Sequence, residues 1–156
     1  MTRQARLITP RTTLTVLLLS VIALGSWGCP VKFVSDYDEV TDQTATALQT
    51  KVDTFVLKMS STANTPEGTY ANNKNFYDEM KGALQALQSR SEAIPLNQPT
   101  VSMVKQLQEN MEILRTLHEK GGANGLRPEI AGPALSAIDT QFRSIISFED
   151  AKKRGK

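Results

Sequence analysis

The chain predicts an all-α fold: an antiparallel four-helix bundle preceded by a signal peptide. Three observations carry that prediction. Apolar residues recur three or four positions apart in four separate segments, as they do on one face of a helix. Short runs rich in Gly, Pro, Asn and Thr separate these segments. No stretch keeps the period-two alternation that a half-buried strand requires. Four apolar faces must each be buried, and short links favour an up-down-up-down order. A three-helix bundle with a loose terminal helix is the alternative.

Residues 1–28 come first. MTRQARLITPRTT carries Arg3, Arg6 and Arg11 and no acid, and Leu14 to Gly25 is uncharged and largely apolar. Small residues follow at Gly25, Ser26 and Gly28. A positive start, a short apolar run and a small-residue end read as a secretory signal peptide. A retained membrane anchor is the competing reading. It needs about 20 apolar residues, and Thr12, Thr13, Thr15, Ser20, Ser26 and Pro30 dilute the uncharged stretch.

Cys29 is the only cysteine in the chain, and it follows this run in the stretch LGSWGCP. Its place resembles the modified cysteine of bacterial lipoproteins. Gly28 before it matches their pattern, while Ser26 and Trp27 stand where an aliphatic and a small residue are usual. The resemblance covers about the first 30 residues. It implies lipidation of the Cys29 thiol, cleavage before Cys29, and fatty acyl chains such as palmitate holding the protein to the membrane. Pro30, rather than Asp, follows the cysteine and resembles the outer-membrane class. Two readings compete. Ordinary cleavage after Ala23-Leu24-Gly25 would leave a free thiol in a secreted protein, and Cys29 could pair with a cysteine of another chain.

Pro30 to Ser35 reads as a tether, spanning at most about 20 Å when extended. The helical domain is expected over 36–153. Segment one runs from about Asp36 to Ser61, with Tyr37, Val40, Thr44, Ala47, Leu48, Val52, Phe55, Val56 and Met59 on its inner face. Asp36, Asp38, Glu39 and Asp42 crowd its first turns, where the helix dipole favours acids. Segment two starts near Thr65-Pro66-Glu67, a cap followed by a proline and an acid. Tyr77, Met80, Leu84, Leu87 and Ile94 mark its inner face, and Pro95 and Pro99 break it.

Segment three, from about Thr100 to Lys120, has the cleanest stripe: Val101, Val104, Leu107, Met111, Leu114 and Leu117. GGANG closes it. Segment four begins at Arg127-Pro128-Glu129 and runs to about Lys153, lined by Ile130, Ala134, Leu135, Ile138, Phe142, Ile145 and Ile146. Gly132-Pro133 predicts either a kink or a restart there.

Charge excludes one class of partner. The full chain is formally +2, but residues 1–28 hold three arginines and no acid, so 15 Lys+Arg face 16 Asp+Glu in the remainder. That remainder lacks the broad basic face of a nucleic-acid binder, and no nucleic-acid partner is expected. The terminal run Lys152-Lys153-Arg154-Gly155-Lys156 reads as a solvated helix end complementing the dipole. Contact with anionic headgroups is its alternative.

The chemistry-bearing motifs are missing. Di-iron bundles need Glu-x-x-His on two helices. Here Arg115 stands three before the single histidine, His118. A lone cysteine cannot form a covalent haem site. GGANG lacks the lysine and spacing of a P-loop, and the acids at 36–42 lack the glycine and final Glu of a calcium loop. No metal, cofactor or catalytic residue is assigned, and the chain reads as a non-enzyme. His118, near a helix end, reads as a polar surface residue or dipole complement. YANNKNFYDE, Tyr70 to Glu79, supplies one candidate interaction surface in Tyr70, Phe76 and Tyr77. The competing reading puts Phe76 and Tyr77 in the core and Tyr70 over a helix end.

The part after the signal resembles the small helical lipoproteins of Gram-negative envelopes. That likeness implies a protein on the periplasmic side of a membrane, with the outer membrane favoured and the inner membrane or a secreted form as alternatives. The expected role is an interaction or structural module for an envelope protein, reached through the lipid anchor at Cys29. A carrier of small apolar ligands between helices is the second expectation.

Overall fold

A computed structural model describes residues 32–155 of the chain. The signal-like segment and Cys29 lie outside the described residues. Phe33–Lys156 forms one compact unit. Four helices make it up: α1, Glu39–Ser61; α2, Tyr70–Ala93; α3, Gln98–Gly121; and α4, Pro128–Arg154. Single 3-10 turns at Pro66–Gly68 and Gly122–Asn124 precede α2 and follow α3.

The helix starts follow local chemistry. Asp38, extended at φ −117° and ψ 102°, caps α1. Its carboxylate accepts from the Thr41 N–H at 3.1 Å and the Thr41 hydroxyl at 2.6 Å, satisfying an otherwise orphaned donor. The helix thus begins at Glu39, three residues later than the acid run suggested. Pro66 opens only a 3-10 turn, and α2 waits until Tyr70. The reason lies in Gly68, whose backbone presses against the Thr62 carbonyl so closely that a Cβ would collide. The Asn73 amide holds the bend, donating to the carbonyls of Glu67 at 2.7 Å and Thr69 at 2.8 Å.

Pro99 lies inside the first turn of α3 and does not end α2; a proline there gives up no helical hydrogen bond. Pro133 neither restarts nor ends α4, which is continuous from Pro128 to Arg154.

The helices run antiparallel in sequence order. The start of α1, the end of α2, the start of α3 and the end of α4 share one end, since the Asp38 N–H meets Glu149 and Lys152 meets Asn97. The opposite end holds the two 3-10 turns, where the Asn64 N–H donates to the Asn124 carbonyl at 3.3 Å. Each helix packs on its two neighbours in the ring α1–α2–α3–α4–α1. One apolar cluster draws on all four, including Leu48 and Phe55 from α1, Met80 and Leu84 from α2, Leu107 and Leu114 from α3, and Ile138 and Phe142 from α4. A four-helix bundle results, and no terminal helix is loose.

Val40, Ala47 and Ile130, expected in the core, point outward. Val40 is exposed while Thr41 and Ala45 are buried; Ile130 is exposed while Ala131 and Ala134 are buried. At Val40 and Ile130 the apolar stripe is one residue out of phase with the buried face over the first turn.

Candidate functional site

A groove of about 750 Å³ lies between α2 and α3. Met80 and Leu84 from α2 and Met111 from α3 contribute to its apolar lining. Lys74, Asp78, Lys81, Glu109 and Glu112 also line it. Ile113 lines it too and is 52% exposed, an unusual position for a large aliphatic side chain on an otherwise polar flank.

One end of the groove is built around Arg115. Its guanidinium pairs with Glu112 at 2.5 Å and Glu119 at 2.9 Å, and donates to the Tyr70 hydroxyl at 3.3 Å. The hydrogen bond to Glu112, helped by the one to Tyr70, raises the Arg115 pKa above its already high value. Tyr70 is thereby held at the groove wall.

Behind Tyr70 lies a buried aromatic cluster. The Tyr77 hydroxyl is 2.9 Å from His118 Nδ1, and His118 Nε2 is 2.8 Å from the Gly68 carbonyl. A carbonyl can only accept, so Nε2 carries the proton and Nδ1 accepts from Tyr77. His118 is fully buried, which corrects its reading as a surface residue or dipole complement. Burial, outweighing the hydrogen bond to Gly68, lowers its pKa and keeps it neutral. Both ring nitrogens are engaged inside the fold. Burial likewise raises the Tyr77 pKa.

The three aromatic residues of YANNKNFYDE separate onto two sides of α2. Tyr70 and Tyr77 line the α2/α3 groove. Phe76 stacks on Phe55 of α1 with centroids 3.7 Å apart and rings 4° from parallel, lining a second depression between α1 and α2. Tyr77 is buried, Tyr70 and Phe76 half-buried.

At the opposite end, the N-terminal segment is tied into a buried polar network. Lys152 donates to Glu149 at 2.6 Å, to Asn97 at 2.8 Å and to the Thr100 hydroxyl at 3.2 Å. Glu149 accepts the Asp38 N–H at 3.1 Å. The Ser35 hydroxyl donates to Asn97 Oδ1 at 2.9 Å, and its N–H to the Leu96 carbonyl at 3.0 Å. Lys152 is buried, which corrects the view of the terminal basic run as wholly solvated. Among the described residues no buried side-chain polar atom is left without a partner.

Among the described residues no cluster of three or more His, Cys, Asp or Glu side chains is placed to hold a metal ion. Nor is any described helix long and apolar enough to cross a membrane. No protein family, curated protein or solved structure matches this chain.

Several site residues escape the sequence reading. Met80 and Met111 register there only as core, and Ile113 not at all. The signal for Ile113 is its position beside Glu112 and off the apolar stripe, where a polar residue would serve a plain solvent face.

Proposed function

We propose that this protein is a lipid-anchored, non-catalytic module on the periplasmic side of a bacterial membrane, favouring the outer one, and that it docks an apolar segment of an envelope protein in the α2/α3 groove. The observation that carries the docking half is the groove itself. Exposed Ile113 and half-buried Tyr70 offer apolar contact along its wall, over a floor closed by the buried Met80 and Met111. Charges of both signs flank the floor, as at a rim that would favour register over raw affinity. An amphipathic helix laid along such a groove is a recurrent mode of recognition. The anchoring half rests on the signal-like residues 1–28 and the position of Cys29.

The carrier of small apolar ligands is the weaker reading. A carrier encloses most of its ligand's surface. This groove lies on the flank of the bundle, and the centre between the four helices is filled by Val104, Leu107, Leu114, Ile138 and Phe142.

A photo-crosslinker at Ile113, in native envelopes, tests the docking. A discrete protein adduct from position 113, absent when the crosslinker sits at exposed Leu57, is the expected result. No adduct at 113, with a small molecule retained in native mass spectrometry, would favour the carrier. The intact mass of the membrane-extracted protein, beside a Cys29→Ser variant, tests the anchor. A chain starting at Cys29 with added acyl mass supports it; a free thiol or an uncut chain removes it.

A further inference from the structure

The bundle end that receives the N-terminal segment exposes an apolar patch. Phe33 is 84% exposed, Leu96 53% and Val34 40%. The Ser35 N–H bonds to the Leu96 carbonyl, so the three side chains belong to one locality. Leu96 also sits at φ +61°, a left-handed conformation that suits Gly or Asn far better than leucine. The fold thus holds a strained, outward leucine beside an outward phenylalanine.

The length of chain leading to Cys29 says what would cover this patch. Ser35 is buried and fixed by two hydrogen bonds, so the tether ends there. From Cys29 to Ser35 is six residues, at most about 20 Å extended. With acyl chains on Cys29 in the bilayer, this end of the bundle stays within about 20 Å of the membrane surface.

We infer that the end carrying Phe33, Val34 and Leu96 is a membrane-contact face, with Phe33 and Leu96 inserted into the interface of a phospholipid bilayer. The inference rests on the anchor reading of Cys29. Lys32, Arg90, Lys153 and Arg154 share this end with Asp36, Asp38, Glu39 and Asp150. Neither sign dominates, so the contact is apolar, and a zwitterionic bilayer suffices.

The chain has one tryptophan, Trp27, and from Cys29 onward it has none. Single reporters can therefore be placed at will. The chain starting at Cys29 is coupled through its only thiol to a maleimide lipid in phosphatidylcholine vesicles, as Phe33→Trp, Leu96→Trp or, at the far end of α1, Leu57→Trp. Circular dichroism checks that each variant keeps its helical content. An apolar group seated about 5–10 Å into the headgroup boundary lies near acyl chains. Brominated lipids should quench the indole at position 33 or 96 about twofold more than the indole at position 57. Equal quenching at all three positions, or none at any, overturns the inference. Because the coupling is chemical, this result does not depend on whether the native host acylates Cys29, which the intact mass decides separately.

Discussion

Tyr77 of α2 and His118 of α3 stand 41 residues apart and share a buried hydrogen bond of 2.9 Å, with His118 donating its own proton to the Gly68 carbonyl. The pair joins both central helices to the 3-10 turn before α2. A protonated His118 would place a charge where burial disfavours it and would remove the acceptor that Tyr77 uses.

Stability should therefore fall as the pH drops through the histidine range. The His118 pKa is below its ordinary 6.5 in the folded state. The unfolded chain takes up the proton first, so this contribution is complete above pH 6.5 and is lost below it. The slope for one proton reaches about 1.4 kcal/mol per pH unit. Urea unfolding of the wild type from pH 7.5 to 5 should show it. His118→Phe should flatten that segment. It should also cost about 2–4 kcal/mol at pH 7.5, because the Tyr77 hydroxyl and the Gly68 carbonyl lose their partner. An unchanged slope would remove His118 as the group responsible.

The ion pair of Glu149 and Lys152 is enclosed, with Glu149 at 0% exposure. Breaking such a pair leaves a buried charge. Lys152→Met should destabilise by about 3–5 kcal/mol. Adding Glu149→Gln should restore much of that loss, since an amide keeps an acceptor for the Asp38 N–H without the charge. Denaturant midpoints of the two single variants and the double variant form the cycle. Simple additivity would show that the two side chains do not depend on each other.

Asp38 joins the cap of α1 to Arg90 of α2, which donates to it at 2.7 and 2.5 Å. The Arg90 hydrogen bond, with help from Thr41, lowers the Asp38 pKa from 3.8 to about 2. Here the folded state holds its proton less tightly, so the stabilisation is present above pH 3.8 and disappears as the pH falls to about 2. Asp38→Ala should cost about 1 kcal/mol at pH 7, the usual value of a cap. The gap between variant and wild type should close between pH 4 and 2 in thermal unfolding curves, and a gap persisting at pH 2 would point to packing instead.

The apolar stripes of all four helices were legible because Leu48 and Val52, Met80 and Leu84, Leu107 and Leu114, and Ile138 and Phe142 repeat at helical spacing. The buried polar residues occupy the same stripes. His118 continues the series Leu107, Met111, Leu114 at the same spacing. Glu149 and Lys152 continue Phe142 and Ile145. His118 finds Tyr77, and Lys152 finds Asn97 and Thr100, beyond their own helices, and no single segment shows such partners. The groove was less accessible. Its shape depends on how far α2 and α3 stand apart, which periodicity within either helix does not state. Only exposed Ile113 marked its flank.

Two glycines predict opposite responses to the same substitution. Gly125, at φ +68°, closes the link between α3 and α4, and a Cβ there would collide with the Gly68 carbonyl. Neither atom is at the end of a flexible side chain, so the two 3-10 turns would have to separate. That separation would disturb the Asn64–Asn124 bond and buried Leu126. Gly125→Ala should therefore lower stability by about 2 kcal/mol or more, combining left-handed strain with displacement. Gly82 lies inside α2, and a methyl group added there would meet nothing within 4 Å. There alanine only restricts the unfolded chain and favours the helix, and Gly82→Ala should raise stability by about 0.5–1 kcal/mol. Thermal unfolding of both variants beside the wild type checks the pair. A neutral Gly125→Ala would mean that the two turns are not in contact in solution, and a destabilising Gly82→Ala would mean that this face of α2 is closed against something other than water.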